Sequence, residues 1–230
     1  MAYRTIDAQL VLQTLEKLRQ RIGERFPQAG IGKVCAELAH LARDTQESVT
    51  ELAKPMIWIR AGVGIVLLTG LGFAAYGVRT IGFKSGEAEV LSVVSALESA
   101  VNLLLVVSAG VFSLTSLEAR LKRHRALRAL HELRSIIHVI DMHQLTKDPV
   151  MIGAARTKAS PDHKLTPFEL VRYLDYCSAM LSLSGKLAAL YAQDFSDPDV
   201  IEAASDIEQL ATNLSQKVWQ KITIVQTNAA

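Results

Sequence analysis

Cysteine is scarce in this sequence, with two residues among 230, Cys35 and Cys177. They lie in different segments, and neither has the spacing of a zinc ligand pair. These facts exclude a disulfide-rich scaffold and a cysteine-based metal finger. We interpret both thiols as small residues of a hydrophobic core.

A strong excess of one charge is also missing. The chain has 25 Lys and Arg against 23 Asp and Glu, a formal net charge of +2. A dedicated nucleic-acid binder is therefore not expected, since such proteins present a strongly basic surface. No nucleophile is paired with a general base, so we expect neither an enzyme nor a cofactor.

The hydrophobic residues, half of the chain, are concentrated in two uncharged runs at 61–78 and 99–117. Each run reaches the roughly 18 residues that a helix needs to cross a bilayer. We predict membrane spans at about 56–78 and 90–117; the alternative is a pair of buried core helices. The first 30 residues lack the apolar stretch of a cleavable signal, so we expect the first span to act as the insertion signal.

Basic residues flank these spans asymmetrically. The segment between the spans has Lys84, with Arg79 at its edge. Three basic residues precede the first span, Arg43, Lys54 and Arg60, and six follow the second: Arg120, Lys122, Arg123, Arg125, Arg128, Arg134. The positive-inside rule then places both termini in the cytoplasm. We expect a multi-pass protein of the bacterial inner membrane.

Helical periodicity extends over the rest of the chain, so the predicted class is all-α. A cytoplasmic helical hairpin covers 1–54 and the transmembrane hairpin 55–117. A cytoplasmic stalk helix at 118–145 continues the second span, a loop covers 146–166, and a second cytoplasmic hairpin covers 167–230. Capping signals begin the two C-terminal helices at Thr166 and Asp197. The run ITIV at 222–225 alone has strand character.

Two features predict self-association. Gly70, Ala74 and Gly77 form a stripe of small residues on which another helix can pack closely. The stalk carries an apolar stripe that needs a partner: Ala126, Leu130, Leu133, Ile137, Ile140. We therefore expect a homo-oligomer in the lipid bilayer.

Polar residues interrupt the start of the second span. Ser95, Glu98 and Asn102 recur at steps of three and four, which places them on one helix face. A buried carboxylate in hydrocarbon costs about 3 kcal/mol unless it meets water or a partner. This face can line the pore of a ring of subunits, or Glu98 can extend outward to the interface.

Two further clusters allow chemistry. His138, Asp141 and His143 offer ligands for a metal or groups for a pH switch; the alternative is a set of solvated or hydrogen-bonding side chains. The basic residues Arg120, Lys122, Arg123 and Arg125 can bind anionic lipid headgroups or a phosphorylated ligand; otherwise they serve as the topology signal alone.

The layout of two spans, a short outer turn and the basic exit SLEARLKRHRALRALHELR resembles the SLATT group of two-transmembrane effectors over residues 56–135. That resemblance implies a membrane pore in bacterial conflict systems. The strings HVIDMHQLTKDP and LTPFELVRYLDYCSAMLSLSGKLAALYAQ also resemble an uncharacterised bacterial family. Neither resemblance implies catalytic residues.

Three functions follow in order of preference. The first is an oligomeric pore or ion-conducting assembly with a cytoplasmic sensing or gating domain. The second is a membrane-anchored scaffold that recruits a cytoplasmic protein partner. The third is a metal-dependent enzyme built around His138, Asp141 and His143.

Overall fold

A computed structural model describes residues 5–80, 88–147 and 165–229. Within these ranges every regular element is a helix, which confirms the all-α prediction. The six helices are α1 (Ala8–Arg25), α2 (Gly30–Ala53), α3 (Ile57–Thr80), α4 (Ala88–Leu145), α5 (Pro167–Asp194) and α6 (Pro198–Ala229). The ITIV run is helical within α6, so its strand character was misleading. The predicted loop at 146–166 falls mostly outside the described residues.

The predicted helix starts at Thr166 and Asp197 are confirmed. The Thr166 hydroxyl accepts a hydrogen bond from the Glu169 N–H, while the Glu169 carboxylate accepts one from the Thr166 N–H. Asp197 Oδ1 accepts from the N–H of Asp199 at 3.1 Å, at the start of α6. Both caps satisfy backbone donors that a helix leaves unpaired in its first turn.

The chain divides into two compact units. One unit contains residues 1–53 and 123–230, and the other contains residues 54–122. Helix α4 contributes to both, since the division falls between Lys122 and Arg123. This division differs from the predicted segments, because the stalk residues from 123 onward belong with the N- and C-terminal helices.

The larger unit, here called the bundle, packs α1, α2, α5, α6 and the C-terminal part of α4 around one hydrophobic core. The stripe predicted to need a partner is buried there: Ala126, Leu130, Leu133, Ile137, Ile140. The stalk is thus covered by helices of its own chain, which removes that reason for self-association. Cys35 and Cys177 lie in the same core, where burial raises their pKa values to about 11 and about 12. Both thiols remain protonated and unreactive at neutral pH.

The smaller unit, here called the helix pair, contains α3 and the N-terminal part of α4. A Cβ added to Gly70 would lie 2.6 Å from a Val107 methyl, and one added to Gly110 would lie 3.3 Å from a Val66 methyl. The residue numbers of the contacting positions therefore increase along α3 as they decrease along α4, so the two helices are antiparallel. At the other end, the Met56 N–H donates to Glu118 Oε1 at 3.1 Å.

Candidate functional site

The polar residues predicted to line a pore lie on the surface of the helix pair. Ser95, Glu98 and Asn102 are all exposed on α4. The apolar residues around them, such as Leu97 and Val101, are exposed as well. The pair therefore presents an apolar surface with one polar face.

The predicted stripe of small residues is divided by the structure. Gly70 is buried against Val107, whereas Ala74 is exposed and a Cβ on Gly77 would have no neighbour within 4 Å. The close contact with α4 instead continues from Gly70 to Gly62, whose added Cβ would lie 3.5 Å from Leu114. Gly62 and Gly70 are eight residues apart, two turns along one face, and that spacing was the available signal.

The residues proposed for metal binding do not form a cluster. His138 is exposed, Asp141 accepts a hydrogen bond from Gln144 Nε2 at 2.6 Å, and the His143 ring packs against Gly30. Within the described ranges no three His, Cys, Asp or Glu side chains come together as a metal site. The geometry therefore offers no support for the metal-dependent enzyme.

The basic residues after the second span have separate roles. Arg120 is exposed, and Lys122 forms an ion pair with Glu118 at 3.1 Å. Arg123 donates from Nε to Asp197 at 2.8 Å and from Nη1 to Asp199 at 2.7 Å. Asp197 thus caps α6 and holds Arg123 at the same time, so this guanidinium is occupied within the bundle.

Arg125, the fourth of these basic residues, lines an open cleft of about 380 Å³ in the bundle. Residues between 41 and 51 of α2, residues between 125 and 132 of α4, and Tyr191 of α5 form its walls. We call it the Tyr191 cleft. The charged groups around it come from both helices: Asp44, Glu51, Arg125, Arg128, Glu132.

Tyr191 has an unusual environment at this cleft. Its side chain is 1% exposed, and its hydroxyl is the one fully buried side-chain polar atom without a hydrogen-bond partner in the described part of the chain. The hydroxyls of Thr45 and Ser48 lie close enough to favour the ionised phenol, but neither meets hydrogen-bond geometry. Burial raises the pKa of Tyr191, and the nearby carboxylates of Glu132 and Asp44 raise it further. The neutral phenol therefore persists with an unused donor and acceptor.

Sequence reasoning did not identify this cleft. The available signal was Thr45, a hydroxyl in the apolar stripe of α2 that is 2% exposed. A hydroxyl at a core position usually has a polar neighbour. Its cleft neighbours on other helices come from 80 or more residues away in sequence, and periodicity along one helix does not reveal them.

Comparison with known proteins yielded no family model, curated protein or solved structure that matches this chain.

Proposed function

We propose that this protein is a bilayer-anchored helical module. The helix pair crosses the bacterial inner membrane, and the bundle, with both termini, lies in the cytoplasm and binds a partner there. One observation carries the proposal: most of the apolar surface of the helix pair is uncovered, while most of the large apolar side chains of the bundle are buried in its core.

The exposure of individual residues supports the membrane assignment. Both helices are long and apolar enough to cross a bilayer, and 6% of the apolar window of the first and none of that of the second is buried. Leu104 is 66% exposed and Phe112 is 74% exposed. A water-soluble protein rarely exposes many large apolar side chains on one continuous surface. Removing a Leu or Phe side chain from water stabilises by about 1.5–3 kcal/mol. A lipid environment supplies that gain over the whole surface.

A matched pair of substitutions tests the anchoring. Leu104 and Met142 lie on the same helix with nearly equal exposure, 66% and 65%, but in different units. Leu104→Arg should impair insertion, because an arginine near the centre of a span costs about 3 kcal/mol. Met142→Arg should leave insertion unchanged, because that side chain faces water.

The measurement is the fraction of protein retained in alkali-washed membranes. Recovery of the unaltered chain in the soluble fraction without detergent contradicts the proposal. An equal loss of membrane-retained protein for Leu104→Arg and Met142→Arg contradicts the assignment of Leu104 to lipid and Met142 to water.

The role of the bundle as a partner-binding module has its own test. Replacing residues 55–117 by an unrelated transmembrane hairpin should preserve partner recruitment, since the spans then act only as a tether. Cross-linking in intact membranes, followed by identification of captured proteins, compares the two chains. A partner that is captured by the native chain, but not by the chain with the unrelated hairpin, indicates that the helix pair takes part in function.

The exposed face formed by Ser95, Glu98 and Asn102 favours a second candidate, an oligomeric pore. The SLATT resemblance and the open positions Ala74 and Gly77 agree with it, because further helices can pack there. Ion flux through proteoliposomes tests this function. Glu98→Gln with Asn102→Ala should lower cation conductance, and an unchanged conductance rejects this lining. A monomeric mass in detergent rejects the pore.

A further inference from the structure

The charges of the Tyr191 cleft are arranged along its length. On α4, Arg125 and Arg128 precede Glu132 by seven and four residues, or about 10 and 6 Å at 1.5 Å per residue. Glu132 and Asp44 lie near the Tyr191 hydroxyl. Glu132 and Asp44 thus form a carboxylate end at Tyr191, and the two arginines lie one to two helical turns away along α4. Glu51, seven residues after Asp44 on α2, also lines the cleft.

These charged groups are largely unused by the protein itself. Arg125, Glu51 and Glu132 make no ion pair within 4.0 Å among the described residues, whereas Asp44 pairs with His40. Arg128 donates from Nη2 to His124 Nε2 at 3.1 Å and makes no ion pair with a carboxylate among the described residues. A ligand can satisfy these groups without breaking an ion pair of the fold.

The buried phenol gives an independent reason to expect a ligand. Leaving a polar group buried and unpaired costs about 1–3 kcal/mol, so such groups are rare in folded proteins. Tyr191 lines the cleft, and the groups near its buried hydroxyl, Thr45, Ser48, Asp44 and Glu132, line it as well. The volume of about 380 Å³ is in the range of small-molecule sites.

We propose that the Tyr191 cleft binds a small zwitterionic solute, with its cationic group at Glu132, beside Tyr191, and its anionic group against Arg125 and Arg128. A dianion would be repelled at the carboxylate end, and a simple cation would be repelled by the arginines. An apolar molecule would remove water from the charged groups at both ends without pairing with them. This binding does not depend on the membrane assignment of the helix pair.

Three probes of equal chain length test the proposal: 6-aminohexanoate carries both charges, hexylamine the cation alone and hexanoate the anion alone. Binding to the full-length protein in detergent micelles is measured by titration calorimetry. The zwitterion should bind saturably and at least tenfold more tightly than either other probe. Equal binding of all three, or no saturable binding of 6-aminohexanoate, overturns the proposal and leaves a water-filled crevice.

Variants assign the two ends. Glu132→Gln and Arg128→Gln, both at exposed positions, should each weaken 6-aminohexanoate binding about tenfold, the usual effect of losing one charge-assisted hydrogen bond. Tyr191→Phe keeps the ring and should weaken binding by a smaller factor. Arg134→Gln is the matched control, since Arg134 lies on the same helix and pairs with Asp206.

The Arg134→Gln control can also contradict the proposed site. If Arg134→Gln weakens binding as much as Arg128→Gln, the attraction is a general effect of surface charge and the site is rejected. Melting of each variant, followed by circular dichroism, separates loss of binding from loss of fold. A failure of membrane anchoring would appear in fractionation and would leave these titrations unchanged.

Discussion

Helix α4 belongs to both units, and its side chains have opposite environments in the two. Leu104, in the helix pair, is 66% exposed, whereas Leu133, in the bundle, is 1% exposed. The residue type and the helix are the same. The two segments have different neighbours: α3 covers one side of α4 in the helix pair, whereas the C-terminal part of α4 belongs to the common core of the bundle.

The difference separates two helix patterns in one chain. The outer helices of the bundle, such as α1 and α6, carry one apolar stripe and polar residues elsewhere, the pattern of a helix between a core and water. Helix α5 is buried on most of its faces. The two helices of the pair are apolar on nearly every face, the pattern of a helix in lipid. Hydrophobic content alone does not separate these cases, but its distribution around the helix does.

The largest expected effect separates the two units directly. Leu133→Ala should lower the free energy of unfolding of the bundle by about 3 kcal/mol, because it removes a fully packed side chain and leaves a cavity. Leu104→Ala, the same change on the same helix, should have little effect on the bundle. Denaturant unfolding of both proteins in the same detergent measures the contrast. Equal losses would mean that Leu104 is packed by protein in the assembled state.

A second change tests the close contact within the helix pair. Gly70→Ile should destabilise the pair by about 2 kcal/mol, since its Cβ would lie 2.6 Å from a Val107 methyl. Gly77→Ile is the control, because a Cβ there meets no atom within 4 Å. The readout is the rate of disulfide formation between Val66→Cys and Gly110→Cys. Equal slowing by both substitutions would contradict the antiparallel contact.

A smaller effect should be confined to the bundle. Thr166→Ala removes the cap of α5 and should cost about 1 kcal/mol of bundle stability without altering membrane insertion. Thr212→Ala, in the middle of α6, should be close to neutral, because that hydroxyl bonds only to the Glu208 carbonyl of its own helix. Thermal unfolding compares the two. A larger loss for Thr212→Ala would contradict the capping role.

The smallest expected effect depends on pH. Hydrogen bonds from the Thr166 N–H and then from its hydroxyl lower the pKa of Glu169 below its ordinary value of 4.5. The ionised carboxylate therefore stabilises the fold above pH 4.5, and this contribution is lost as the pH falls through the lowered pKa. Glu169→Gln should be less stable than the unaltered protein at pH 7, and the difference should shrink below pH 4.5. A difference that stays constant from pH 7 to pH 3 would contradict the linkage.

Much of the local structure could be predicted from the sequence. The stalk at 118–145 was expected to continue the span at about 90–117, and one helix runs from Ala88 to Leu145. The caps at Thr166 and Asp197 followed from side chains that bond to backbone atoms two or three residues away. Such features depend on neighbours in sequence, so a single sequence is sufficient to recognise them.

The candidate sites were less predictable, because their residues act through distant partners. The role of Arg123 as a lipid ligand was a reasonable expectation, but its guanidinium pairs with Asp197 from 74 residues away. The apolar stripe of the stalk indicated that a partner was needed, and it did not indicate whether that partner was another chain or the same one. The Tyr191 cleft depends on three helices at once.

The sequence by itself determined that this protein is helical, that one helix continues from the second apolar run into the stalk, and where the two C-terminal helices begin. It also determined that two segments are apolar around nearly their whole circumference. These properties depend on backbone propensity, capping and periodicity, which act over a few residues. Only the tertiary structure decided which faces meet, so that the stalk stripe is buried, Gly70 packs against Val107 of α4, and Tyr191 lines a charged cleft. Such contacts join residues far apart in the chain, and packing of complementary surfaces rather than local preference selects them.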